Sequence, residues 1–377
     1  MHLESSSSHV SVAMFACMAC LVLSFNARAQ STQHAQAPQG SDLWARDNLF
    51  AWGISIDSES RTVEAQADML DRLGFKQVAY SWQGKNVATF DRDVETFKRH
   101  GISILACAVT DANTPNASID WKHRQNQELW VEEGVKKAAP DAMTVGEMLE
   151  GFKRHHIAPE LWLVRNMQEA RHREYPEKPF EQWTDAEKNQ EFENYTGYDP
   201  TPPEQRDTRV RQEAKRIQAL AELAAPYGVR VGLYKHAGWI GISDNQIAIV
   251  KYLRQQGVDN VGIVYQFIHA HDEVEETKDF SAVWKKLQPF VFAVNVTGLH
   301  AGRRTIYPIL YPSQGDRELG MMRTIQHSGW RGPIGLSSEK GGDAAINLQN
   351  NLVGLAWLAR KLEQPGSEGP RPFGYVR

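Results

Sequence analysis

Short apolar strands alternating with amphipathic helices predict an α/β fold, and eight such units in succession make it a (β/α)8 TIM barrel over residues 43–362. A chain of 377 residues, 41% of them hydrophobic, can bury one large core, and barrels of this length commonly form a single domain. The third observation is where the surplus length falls. Two long polar segments, Asp111–Met143 and Met167–Pro202, follow the third and fourth strands, so they are insertions on the C-terminal face, where barrel enzymes keep their chemistry. Each is a candidate lid or, equally, a surface for partner contact.

The first unit reads as a strand over Asn48–Ile56, a helix over Thr62–Leu73 ended by Gly74, and a second strand over Gln77–Trp82. A helix around Asp91–His100, closed by Gly101, leads to the third strand, Ile102–Val109. Thr144 and Glu147 have capping-box spacing and open the helix before the fourth strand, Pro159–Val164. A helix over Pro203–Tyr227 precedes the fifth strand, Val229–Tyr234. Ser243 and Gln246 repeat the capping-box spacing, and their helix ends at Gly257 before the sixth strand, Asn260–Gln266. A helix near Phe280–Leu287 comes before the seventh strand, Val291–Val296, and one starting near Ser313 before the eighth, Pro333–Ser337. The last helix covers Asp343–Leu362, and the Pro/Gly-rich residues 363–377 form a loose tail.

Ahead of the barrel, Val10–Leu23 is a short apolar run followed by Ala27-Arg28-Ala29, whose small residues suit a signal peptidase. Residues 1–29 are therefore expected to be a cleavable signal peptide, although its leading segment has no Lys or Arg, and the Gln/Ser/Ala-rich residues 30–42 to be a linker. The expected location is secreted or periplasmic. Cys17 and Cys20 leave with the leader, so Cys107 remains alone in an apolar strand, as core rather than nucleophile. No later stretch is long and apolar enough to cross a bilayer. A formal charge of −4, with no Lys/Arg run interleaved with aromatics, argues against nucleic acid as a partner. The sequence does not give an oligomeric state.

Four strings, GVRVGLYKHAGWIG, DNVGIVYQFIHAHD, FVFAVNVTG and GPIGLSSEKGGDAAINLQNNLVGLAWL, fall one per strand from the fifth to the eighth. In order and spacing they resemble the xylose isomerase-like barrel superfamily, the sugar phosphate isomerase/epimerase group, over most of the chain. That resemblance implies a barrel acting on sugars, by isomerisation, epimerisation or elimination, and a divalent cation held by Glu, Asp, His and Glu at the ends of strands five to eight. At the matching positions stand Tyr234, Gln266, Asn295 and Ser337. A hard cation needs anionic oxygens to offset its lost hydration, and a phenol, two amides and a hydroxyl supply no charge. The expectation is no cofactor, with a divalent metal on altered ligands as the alternative.

What the pattern retains is His236, two residues past Tyr234, and His269, three past Gln266. Each alone reads as a loop histidine satisfied by a backbone carbonyl; together at adjacent strand ends they are candidates for passing a proton to and from a carbon next to a carbonyl. Lys235 adjoins them as a secondary contact, although strand alternation turns it toward the helix layer. His269-Ala-His271-Asp272 holds enough ligand types for zinc, but residues so close in sequence rarely converge. Tyr234, Gln266, Asn295 and Ser337 are expected to orient substrate hydroxyls, since amides donate and accept without net charge. Trp52, Trp82, Trp162 and Trp239 fall in or just after strands, and of these Trp239 is the expected sugar contact. Glu339 is a further acid/base candidate in the loop after the eighth strand, while Asp343 caps the last helix. Those two acids disfavour phosphate there, and Arg303 and Arg304 read as a solvated loop pair, which points to an unphosphorylated sugar.

The expected function is thus an exported sugar isomerase- or epimerase-like protein binding a small carbohydrate. Two rivals stand beside it: a non-catalytic carbohydrate-binding barrel, and a glycoside hydrolase, for which only Glu339 and Asp57 are placed as a carboxylate pair.

Overall fold

In the computed structural model, residues 43–53, 59–82, 85–110, 128–131, 134–137, 143–164, 184, 201–236, 239–272, 279–298, 316–338, 342–367 and 369–372 are described. The barrel strands are β1 (Leu49–Trp52), β2 (Gln77–Tyr80), β3 (Ser103–Thr110), β6 (Glu160–Val164), β7 (Val231–Tyr234), β8 (Val261–Gln266), β9 (Val291–Val296) and β10 (Ile334–Ser337). They pair in parallel in that order, and β10 returns to β1, closing the barrel. Between β3 and β6, strands β4 (Glu128–Val131) and β5 (Gly134–Lys137) make an antiparallel hairpin within the first insertion. Of the second insertion, the part before residue 201 lies outside the described residues except Thr184, and so do residues 1–42, where the signal peptide and linker were expected.

Among the described residues, eight helices clothe the sheet: α1 (Val63–Arg72), α2 (Val87–Arg99), α3 (Val145–Arg154), α4 (Arg206–Ala224), α5 (Ser243–Gln255), α6 (Phe280–Leu287), α7 (Asp316–His327) and α8 (Ala344–Glu363). Their starts follow from polar caps that occupy otherwise orphaned N–H groups. Thr62, Asp279 and Asp343 cap α1, α6 and α8, and the Thr144–Glu147 capping box opens α3. Two starts differ from the sequence reading. Helix α2 begins at Val87, not near Asp91, because the Asn86 side chain accepts from Thr89 N at 3.0 Å and caps a first turn whose β-branched residues have poor helix propensity. Ser243 does not cap α5: Ile242 holds the cap position, and the Ser243 hydroxyl instead lies 3.1 Å from the Lys235 ammonium. A buried ammonium outcompetes a backbone N–H for that oxygen.

The interior has two apolar layers. One lies between strands and helices, where Phe97, Leu149, Leu220, Ile249, Leu287 and Leu348 are buried against the outward faces of the strands. The other fills the lumen with Phe50, Ala79, Ala106, Trp162, Tyr234, Val264 and Ala293. Strand alternation separates the two sets over most of the barrel, with register shifts in the β2–β3 and β8–β9 pairings.

The lumen alternates large and small residues. A Cβ on Gly232 would sit 2.6 Å from Val264 Cγ2 and 3.1 Å from Trp162 Cδ1, and one on Gly335 would sit 2.4 Å from Phe50 Cζ. These glycines make room for the rings beside them. At the N-terminal end Glu160, 3% exposed, accepts from the Trp162 indole at 2.9 Å and from the Arg230 guanidinium. That buried ion pair anchors Trp162 from below, leaving the C-terminal mouth for binding.

Cys107 is fully buried in β3, and burial pushes its thiol well above the usual range, an effect that the charge of Lys85 only partly offsets. Iodoacetamide at neutral pH is expected to label Cys107 only after denaturation; mass mapping that finds native Cys107 alkylated as fast as a free thiol would contradict this burial.

Candidate active site

Register places the candidate residues around one mouth. Gln266 of β8 pairs with Asn295 of β9, Asn295 with Gly335 of β10, and Gly335 with Phe50 of β1, so these four share a level of the barrel. Gln266 and Asn295 have the parity of the lumen residues Val264 and Ala293, and Ser337 has that of Gly335. Tyr234 pairs with Val264, one inward residue deeper than Gln266. Tyr234, Gln266, Asn295 and Ser337 are all buried.

Two of these side chains, Tyr234 and Asn295, lie against aromatic or backbone surfaces. The Tyr234 ring lies 5.2 Å from Trp52 and 6.1 Å from Trp162, and Phe50 and Trp52 each meet Trp162 edge-on at 5.5 and 5.7 Å. Such tilted and T-shaped contacts suit ring quadrupoles and hold the cluster rigid. Asn295 leans on β10, for a Cβ on Gly335 would lie 1.8 Å from its Oδ1. Among the described residues, Asn295 Oδ1 and Nδ2, Gln266 Nε2 and Thr297 Oγ1 are buried without a hydrogen-bond partner. Each orphaned group costs about 1–3 kcal/mol, so several on adjacent strands mark a place built for a polar ligand or water rather than for packing. Thr297, two residues past Asn295 with the same parity, joins the set; the sequence reading overlooked it because a lone threonine at a strand end carries no distinctive spacing.

The two histidines come together. The rings of His236 and His269 stand 4.8 Å apart at 49°, both half-buried. His269 reaches this position because the chain leaves β8 in a 3-10 turn over Phe267–Asp272. His236 is held from behind: a Cβ on Gly241 would fall 1.4 Å from the His236 carbonyl oxygen, so only glycine lets the turn close this tightly. A neutral imidazole carries one N–H donor and one acceptor nitrogen, so the pair brings both proton roles to one mouth.

Two candidates, Lys235 and Trp239, do not face the mouth. Lys235, 1% exposed, turns outward, where its ammonium donates to Gly241 O at 2.8 Å and to Ser243 Oγ at 3.1 Å. As a substrate contact it is corrected: alternation drives it into the helix layer, and it ties down the turn beside His236. Trp239 is 0% exposed, with the Arg209 guanidinium 4.5 Å from its ring, so it is core and not an open stacking face. Trp52, half-buried at the top of the aromatic cluster, is the indole with surface to offer. Glu339 lies outside the described residues, as do Asp57, Arg303 and Arg304, and the side chains of His271 and Asp272 are also not described.

The neutral donors at the four strand ends do not fit a hard divalent cation, which needs carboxylates to repay its dehydration. Among the described residues, no three His, Cys, Asp or Glu side chains cluster closely enough to hold a metal ion, and no helix is long and apolar enough to cross a membrane.

No protein-family model matches this sequence, and no curated protein matches it either. Solved structures do resemble it. The IOLI protein with a bound zinc atom aligns with a TM-score of 0.52 at 14% identity, over 83% of this chain and 98% of its own. An L-ribulose 3-epimerase aligns at 0.51 with 12% identity, over 85% of this chain and 99% of its own. The probable 3-DHS dehydratase AsbF of Bacillus anthracis aligns at 0.50 with 11% identity, over 81% of this chain and 97% of its own. At such identities the likeness shows the fold alone, a closed parallel (β/α)8 barrel.

Proposed function

We propose that this chain is a sugar-modifying enzyme that moves a proton on a carbon next to a carbonyl, as in isomerisation, epimerisation or elimination. The observation that carries this reading is the His236–His269 pair, with rings 4.8 Å apart at the mouth of a barrel whose adjacent strand ends hold uncommitted amides. One imidazole takes the proton from the carbon, leaving an enolate; the amide N–H groups of Gln266 and Asn295 donate to the developing oxyanion; the other imidazole returns a proton to carbon or to oxygen. Trp52 offers an indole face to the apolar side of the ring. The substrate is an uncharged, unphosphorylated sugar or keto-sugar, because the described mouth residues are neutral amides, hydroxyls and aromatics. Kinship of fold with an epimerase and a dehydratase supports the reaction class without choosing within it. Residues 1–29 as an export leader, and chemistry without a divalent metal, belong to the same proposal.

The neutrality of the strand ends also favours a second reading, a barrel that binds carbohydrate without converting it. Incubation with unphosphorylated keto-sugars in deuterium oxide separates the two. Under the enzymatic reading, deuterium enters the carbon beside the carbonyl, detected by mass spectrometry, at a rate proportional to protein concentration. Saturable sugar binding by calorimetry with no enzyme-dependent incorporation would establish the binding-only barrel and refute turnover.

A further inference from the structure

On the outer layer, helices α1 and α2 flank a cavity of about 490 Å3. Its polar character is legible in α2. Phe90, Val94 and Phe97 bury one stripe against the barrel, while Thr89, Arg92, Asp93, Thr96 and Arg99 form a second stripe at helical spacing facing the cavity, joined by Lys85 from the turn before the helix. Residues in such a stripe against a neighbouring helix are ordinarily apolar; here they are charged or hydroxylic. The opposite wall is equally polar, with Arg61, Thr62, Glu64 and Gln66 at the start of α1.

The charges are held in an arrangement rather than scattered. Asp93, 2% exposed in its side chain, accepts from Lys85 Nζ at 2.5 Å and from the Tyr80 hydroxyl at 2.6 Å. Burial first, and then the neighbouring Asp93 carboxylate, raises the Tyr80 phenol well above its usual range, so it stays a donor and keeps this triad intact. Lys85 is thereby fixed at the wall, and Arg61 is fixed by Asp343 at 2.8 Å. Arg99 holds Glu64 at 2.9 Å and Thr96 Oγ1 at 3.0 Å, and Arg92 lies 3.8 Å from Asp93; at 58% and 68% side-chain exposure these are surface contacts that an entering anion can displace. Counting Asp343 behind Arg61, four cations face three carboxylates, an excess of one positive charge in a chain that is acidic overall.

We propose that the α1–α2 cleft is a second binding site, separate from the barrel mouth, for a small phosphate-bearing anion. Guanidinium forks match phosphate oxygens in pairs, the Thr62, Thr89 and Thr96 hydroxyls supply neutral donors, and the volume suits a metabolite of sugar-phosphate size. The division of labour is chemical: uncharged groups at the mouth, charged groups at the flank.

Calorimetric titration of the full chain with inorganic pyrophosphate at constant ionic strength tests this. The expected result is saturable one-site binding, weakened about tenfold or more in the Arg92→Gln/Arg99→Gln double variant. Absence of saturable binding overturns the site, and so does binding that the double variant leaves unchanged. Citrate titrated in parallel separates phosphate recognition from general polyanion attraction, and equal affinity for citrate overturns the assignment to phosphate. Circular dichroism verifies the variant fold; should the double variant unfold, Arg92→Gln alone, altering an exposed side chain, carries the comparison. None of these readouts depends on turnover at the mouth.

Discussion

Replacing both His236 and His269 by Ala is expected to lower kcat on a keto-sugar by about 10²–10⁴-fold, the usual contribution of positioned acid/base groups, with far smaller change in KM. The separation of effects follows from geometry. The 4.8 Å ring pair serves proton transfer, whereas ground-state binding rests on Trp52, Gln266 and Asn295, which the substitutions leave in place. Both rings are half-buried rather than core, so the double variant should fold with near-native far-UV circular dichroism. Single variants are expected to lose nearly as much as the double, since a relay needs both members. A folded double variant with wild-type kcat would remove the proposed chemistry while leaving the barrel and its sugar binding untouched.

Gly335→Ala is expected to destabilise the protein by about 1–3 kcal/mol, and Gly335→Val by more, because the added carbon enters space already filled. The new Cβ would lie 1.8 Å from Asn295 Oδ1 and 2.4 and 2.5 Å from the Phe50 ring. Asn295 can rotate away, but Phe50 is wedged edge-on against Trp162 at 5.5 Å, which is itself pinned to Glu160. Relief must come from separating β10 from β1 or β9. Urea unfolding should show a lower midpoint at unchanged slope, the sign of lost stability rather than of an altered denatured state. Sugar affinity should fall in parallel, because Asn295 is the group displaced. A midpoint within error of wild type for Gly335→Val would show that the lumen is looser than this packing implies.

Most of the barrel could be read from the chain because its cues are local. β9 matches the reading to the residue, and β7, β8 and β10 differ from it by no more than two residues at one end. Parallel strands buried on both faces read as continuous apolar runs, and Gly74, Gly101 and Gly257 take positive φ where helices end. The same local cues misplaced the start of α2 and the cap of α5. In the second case the competing partner, Lys235, is eight residues away from Ser243 and reaches it only once the turn has closed.

The mouth was legible only in part. That His236 and His269 lie at adjacent strand ends follows from strand order, and their approach to 4.8 Å is the outcome of the 3-10 turn after β8 and the close fit at Gly241. Which tryptophan offers a free face was not legible, since Trp52 and Trp239 look alike in sequence, and only packing buries one beneath Arg209 and leaves the other at the rim.

By itself the sequence determined the alternation of strands and helices, the eightfold count, and the uncharged side chains at the ends of β7 to β10, because periodicity and residue chemistry are properties of neighbours along the chain. Only the tertiary structure decided which of those side chains share a cavity, which polar atoms stay without partners, and that α1 and α2 flank a cleft lined by charged and hydroxyl groups. Those outcomes depend on distances between segments far apart in sequence, set when the barrel closes.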